Sequence, residues 1–103
     1  MSLPIVWRPE AETDLLAARD WYEWQRSGLG EEFADAVETI LVRIEAMPEM
    51  YAIVLQSVRR GKLRMFPYLI YYRVLSNAIE VLALLHCSRD PALWQNRISG
   101  PTT

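Results

Sequence analysis

The segment VRRGKLRMFPYLIYYRV, residues 58 to 74, carries five cations (Arg59, Arg60, Lys62, Arg64 and Arg73) and no anion. Arg60, Lys62 and Arg64 stand at i, i+2 and i+4, which on a β-strand aims all three side chains at one side of the sheet. Like charges that face one another across strands repel. The cations therefore either spread into solvent, guarding an edge against pairing, or meet an anion supplied from elsewhere. An anion site for phosphate or acidic side chains would use the forked donors of arginine. Arg73 and Arg89, from neighbouring strand regions, would be further members of it.

Few other residues offer chemistry. His86 is the sole histidine and would be a general base if it faced a substrate. It also closes the apolar run IEVLALLH, where a hydrogen-bonded structural histidine is the commoner arrangement. Cys87 has no second base to activate it and reads as a small buried filler rather than a nucleophile. One histidine and one cysteine cannot make a zinc site, so no metal is expected. Tyr71 and Trp94 either stack on nucleobases or pin a terminal helix to the sheet. Glu31, Glu32, Asp35 and Glu38 read as a solvated helix start. There is no glycine-rich phosphate loop and no internal repeat.

The elements that must position these residues follow from periodicity. LPIVWR, residues 3 to 8, predicts a first strand. Pro9 suits the first position of a helix, with Glu10 and Glu12 at its positive end. Ala11, Leu15, Ala18 and Tyr22 form the apolar face, which Trp21 and Trp24 are expected to widen. Gly28 and Gly30 break the helix. A second helix is predicted from about 31 to 46, with Phe33, Val37, Ile40, Leu41 and Ile44 inward and Pro48 as its stop. Two helices joined by so short a turn imply an antiparallel hairpin.

Beyond residue 53 the period becomes two. A strand over 58 to 66 places Arg60, Lys62 and Arg64 on one face, and Leu63 and Met65 on the other. After a turn at Pro67, residues 68 to 75 alternate, with Tyr71 and Arg73 opposite Ile70, Tyr72 and Val74. Ser76-Asn77 suits a two-residue hairpin, and residues 79 to 86 suit a central strand covered on both faces. Asp90-Pro91 opens a short helix containing Leu93, Trp94 and Arg97, and the tail from 98 to 103 is expected to fray. The expected fold is α+β in the order β-α-α-β-β-β-α, the hairpin packed on a mostly antiparallel sheet. The terminal helix would cover part of the second face, leaving apolar surface for something else.

With 103 residues, 51% hydrophobic and 23% charged, the chain is one globular domain. One cysteine forbids an intrachain disulfide. The N-terminus has no basic, apolar leader, and no apolar run approaches the roughly 20 residues needed to span a bilayer. A cytoplasmic protein with no membrane association and no cofactor is expected. The formal net charge of −2 hides an asymmetry. Residues 1 to 50 hold four arginines against eleven carboxylates, whereas residues 51 to 103 hold seven cations against two carboxylates. Either the halves neutralise each other where they pack, or the molecule presents a cationic face to an anionic partner.

The run RRGKLRMFPYLIYYRV, followed by IEVLALLHCSRDPALWQNR, resembles the C-terminal half of ParE-type toxins of the RelE/ParE superfamily, also known as plasmid stabilisation proteins. WRPEAETDL fits the same family, and FPY-x-x-YYRV and H-x-x-RDP-x-x-W are the most specific pieces. The resemblance covers about residues 5 to 97. It implies the toxin of a type II toxin–antitoxin pair, neutralised by a small ParD-like antitoxin that wraps a helix and an extended tail over sheet and hairpin. A homodimer or a toxin–antitoxin heterotetramer is compatible with it. Members closest to this chain act as non-enzymatic poisons of DNA gyrase. The RelE branch instead cuts messenger RNA on the ribosome, and there Arg60, Lys62, Arg64 and Arg89 would surround the scissile phosphate. Against that branch, Leu69 stands where it has a catalytic Arg, and Trp94 or Gln95 where it has a Tyr; indole is a donor only. Antitoxin or target binding is expected on Arg60, Lys62, Arg64, Tyr71, Arg73, Arg89 and Trp94.

Overall fold

The computed structural model describes residues 2–99. Ile98 and Ser99, expected to fray, continue the last helix, and the rest of that tail lies outside the described residues. The elements are β1 (Ile5–Trp7), α1 (Pro9–Gln25), α2 (Leu29–Ala46), β2 (Ile53–Leu55), β3 (Val58–Lys62), β4 (Tyr68–Val74), β5 (Ile79–His86) and α3 (Ala92–Ser99). They form one five-stranded sheet in the order β1-β5-β4-β3-β2, with β1 parallel to β5 and the other pairs antiparallel. The three-residue edge strand β2 was not expected. It is too short to show alternation, and its pairing with β3 is irregular.

Helix α1 begins at Pro9 and buries Ala11, Ala18 and Tyr22, as the spacing predicts. The tryptophans do not widen that face: Trp21 and Trp24 are 56% and 88% exposed. Gly28, at φ +90°, turns the chain into α2. There the Glu23 carboxylate accepts the N–H groups of Gly28 (3.0 and 3.1 Å) and Gly30 (3.0 Å). These two donors hold its carboxyl below the usual range. Gly30 must be glycine because a Cβ would stand 2.7 Å from the Arg19 carbonyl oxygen of the facing helix.

Two apolar layers result. Tyr22, Phe33, Val37, Ile40 and Ile44 of the hairpin meet Ile70, Tyr72, Val81 and Leu84 of the sheet and Leu63 just beyond β3. Trp94, Leu93 and Ile98 of α3 meet Val58, Tyr71, Leu82 and Leu85 on the other face. Strand β5 is thus covered on both sides. A bulge between β4 and β5, where Tyr71 pairs Ala83 and Tyr72 pairs Val81, lets Leu82 and Ala83 both enter the α3 layer. The two-residue turn at Ser76-Asn77 is closed by the Leu75 N–H donating to the Ala78 carbonyl at 2.7 Å.

Candidate functional site

The five cations of residues 58 to 74 have separate fates. Arg60 lies opposite Tyr71, and Lys62 opposite Leu69, so both point to the α3 side of the sheet, where both are exposed. Arg64 does not extend the row: β3 ends at Lys62, and Arg64 sits in the following turn. Met65 does not face inward either. Its φ of +68° swings it out, and it is 88% exposed. Arg59 points to the opposite face, donating to the carbonyls of Glu49 (3.0 Å) and Tyr51 (2.7 Å). Arg73 Nε donates to the Glu80 carboxylate at 2.7 Å. Among the described residues no ion pair engages Arg60, Lys62, Arg64 or Arg89.

The aromatic candidates are packed. Tyr71 and Trp94 stack at 4.6 Å, and Trp94 is 4% exposed, so its rings hold α3 on the sheet. His86 Nδ1 accepts the Ser88 N–H at 3.0 Å, which leaves the proton of the neutral ring on Nε2. Cys87 is exposed, against the expectation of a buried filler, because β5 has already ended in a turn. Glu31, Glu32, Asp35 and Glu38 are solvent-facing, and Glu32 pairs with Arg26 at 3.3 Å. Leu69 is half-buried in the Lys62 row. Among the described residues neither a free carboxylate nor an imidazole joins Arg60 and Lys62 in that row, whose chemistry is suited to holding an anion.

Sequence reasoning missed the most connected polar group. Strand β5 outlasts β1, and its edge beyond Val81 is capped by side chains instead of a strand. The Asp14 carboxylate accepts the Leu84 N–H (3.0 Å) and both guanidinium branches of Arg97 (2.6 and 3.2 Å), while Arg97 also donates to the Leu82 carbonyl (3.0 Å). Arg8 Nη1 donates to the Arg97 carbonyl at 3.3 Å. One knot thus joins α1, β5 and α3. A signal existed: Asp14 falls three residues after Ala11, on the inward face of α1, where an acid needs a partner. Asp14–Arg97 is the one ion pair among the described residues that links the acidic and basic halves, so the halves largely stay electrostatically separate.

Burial raises the phenol of Tyr72 to about 12, with its hydroxyl donating to the Pro48 carbonyl at 2.6 Å. Burial also raises Tyr22 and Tyr68; for Tyr68 the Arg89 charge works in the opposite direction. A cleft of about 250 Å³ lies beside Tyr68, bordered by Ala17, Trp21, His86 and Arg89. No helix is long and apolar enough to cross a membrane among the described residues.

Residues 5–91 match the model of a family described as the ParE toxin of the type II toxin–antitoxin system, parDE. The chain is 33% identical over 66 residues to Toxin ParE2 of two Mycobacterium tuberculosis strains, CDC 1551 / Oshkosh and H37Rv. That match covers 64% of this chain and spans 63% of the length of those relatives. A structure titled "Chromosomal ParDE TA system from P. aeruginosa" superposes with a TM-score of 0.62 at 21% identity, covering 82% of this chain and 95% of that one. The last likeness is one of fold.

Proposed function

The chain belongs to the ParE toxin family of type II toxin–antitoxin systems, and from that premise we propose that it is a cytoplasmic toxin that binds DNA gyrase and is neutralised by a small cognate antitoxin. The observation that carries this reading is the family match over residues 5–91, which takes in both the helical hairpin and the whole sheet. The geometry adds support. Arg60, Lys62, Arg64 and Arg89 have no carboxylate partner within the chain's described residues, an arrangement that suits an acidic surface supplied by another molecule. The mechanism is then one of binding: the two stacked layers hold the sheet rigid, α3 shields its centre, Arg60 and Lys62 stand on the face that α3 leaves open, and Arg64 and Arg89 lie beside the helical hairpin. Among the described residues no carboxylate or imidazole joins the Arg60–Lys62 row, and the one phenol beside it, Tyr71, is buried under Trp94, which favours this over cleavage of messenger RNA on the ribosome.

The test is induction of the chain in bacteria with and without its antitoxin. The expected result is growth arrest with DNA-damage induction and intact transcripts, relieved by the antitoxin, together with gyrase cleavage complexes trapped by the purified protein. Transcript cleavage inside ribosomes, lost in Arg60→Ala or Lys62→Ala, would assign the endoribonuclease activity instead. Normal growth would count against both.

A further inference from the structure

We propose that the cleft between α1 and the far ends of β4 and β5 receives an apolar side chain of the antitoxin, with a carboxylate of the same segment seated on Arg89. This rests on the toxin–antitoxin reading above and adds to it a second contact area, away from the Arg60–Lys62 row.

The cleft is built for one side chain. At about 250 Å³ it is smaller than ordinary small-molecule pockets, which begin near ~300 Å³. Ala17 and Ala18 leave the space, and Trp21 and Tyr68 wall it. The walls do not need to be ordered on binding. Tyr68 is wedged against Tyr22 (5.9 Å), Phe33 (5.0 Å) and His86 (5.4 Å), and Trp21 stands edge-on to Tyr22 at 5.1 Å. A preformed apolar recess beside a half-exposed tryptophan is where an interface gains most from a single anchoring residue.

The polar groups around it specify the anchor's neighbour. Asp14 lines the cleft, but its charge is met by Arg97 and the Leu84 N–H. The Thr13 hydroxyl is spent on the Pro9 carbonyl at 3.1 Å. His86 has its Nδ1 engaged by Ser88 and keeps Nε2–H as a donor. Arg89 has no carboxylate partner among the described residues. What remains available is a cation and a donor, which together select a carboxylate. Single-stranded nucleic acid fits less well. It needs a track of cations and open aromatic faces, whereas Arg89 is the one cation without a carboxylate partner that lines this site among the described residues, Tyr68 is ringed by other aromatics, and Asp20 and Glu23 flank neighbouring Trp24.

The test is calorimetric affinity for the purified cognate antitoxin, with Ala17→Phe to fill the cleft and Arg89→Glu to reverse its charge. Both positions are exposed, and unchanged melting of the free variants confirms that they fold. Each is expected to weaken binding at least about tenfold, and a Lys in place of the critical antitoxin acid should restore affinity to Arg89→Glu alone. If the antitoxin binds wild type and both variants equally, the cleft assignment is overturned while the toxin reading stands. If it does not bind wild type at all, both fall. A single-stranded RNA oligonucleotide that quenches Trp21 fluorescence, lost in Ala17→Phe while antitoxin affinity stays unchanged, would assign the cleft to nucleic acid and overturn the proposal.

Discussion

Replacing Asp14 by Ala probes the knot that joins three elements. The Asp14 and Arg97 side chains are 12% and 17% exposed, so the pair is largely but not wholly removed from water. The substitution leaves the Leu84 N–H without its acceptor, worth about 1–3 kcal/mol, and strands the Arg97 guanidinium. Breaking a fully buried pair costs about 3–5 kcal/mol, and the residual exposure lowers that figure. The combined loss is about 3 kcal/mol, a fall in Tm of about 12–24 °C for a domain of this size. Urea unfolding followed by tryptophan fluorescence measures it. Because Arg97 anchors α3, a red shift from Trp94 should precede global unfolding in the variant. A cycle with Arg97→Met should show coupling of about 1–3 kcal/mol. A loss below about 0.5 kcal/mol for Asp14→Ala, or additive single effects, would refute the claim that this pair stands in for the missing stretch of β1.

Gly30→Ala should cost about 1–3 kcal/mol, because the added methyl meets the Arg19 carbonyl at 2.7 Å and must push the helices apart; chemical denaturation measures it. Tyr72→Phe should cost about 1 kcal/mol through loss of the bond to Pro48. Since folding raises the Tyr72 phenol to about 12, its contribution is complete below the unfolded value near 10 and is lost as pH rises from there to about 12; spectrophotometric titration should show one tyrosine ionising last, and the Phe variant should flatten alkaline unfolding in that window. Trp94→Ala should destabilise by about 3–5 kcal/mol, with loss of the near-ultraviolet signal of the Tyr71 stack.

Most of the fold was legible because its elements announce themselves locally. Ala11, Ala18 and Tyr22, then Phe33, Val37, Ile40 and Ile44, repeat at the helical period and are buried as the period requires. The alternation of Ile70, Tyr72 and Val74 against Tyr71 and Arg73 likewise survives in the sheet. Errors arose where a side chain's surroundings come from distant chain. Trp21 and Trp24 read as core by type but stand off the stripe of Ala11, Ala18 and Tyr22 that α1 buries, and both are exposed. Met65 shared a face with Leu63 by parity, yet β3 ends before it and only Leu63 is buried. Strand β2 exists only because β3 offers an edge to pair with.

Composition and periodicity alone therefore determined an α+β fold, its helical hairpin, its central strand and the shared face of Arg60 and Lys62. Tertiary structure alone decided which charges are spent and which are free. Arg59, Arg73 and Arg97 are consumed by carbonyls or carboxylates that only folding brings near, whereas Arg60, Arg64 and Arg89 have no carboxylate partner among the described residues. The physical reason is range. Hydrophobic periodicity is written within a few residues, while the partner of a charge can lie anywhere along the chain: Asp14 and Arg97 meet at 2.6 Å across 83 residues of sequence.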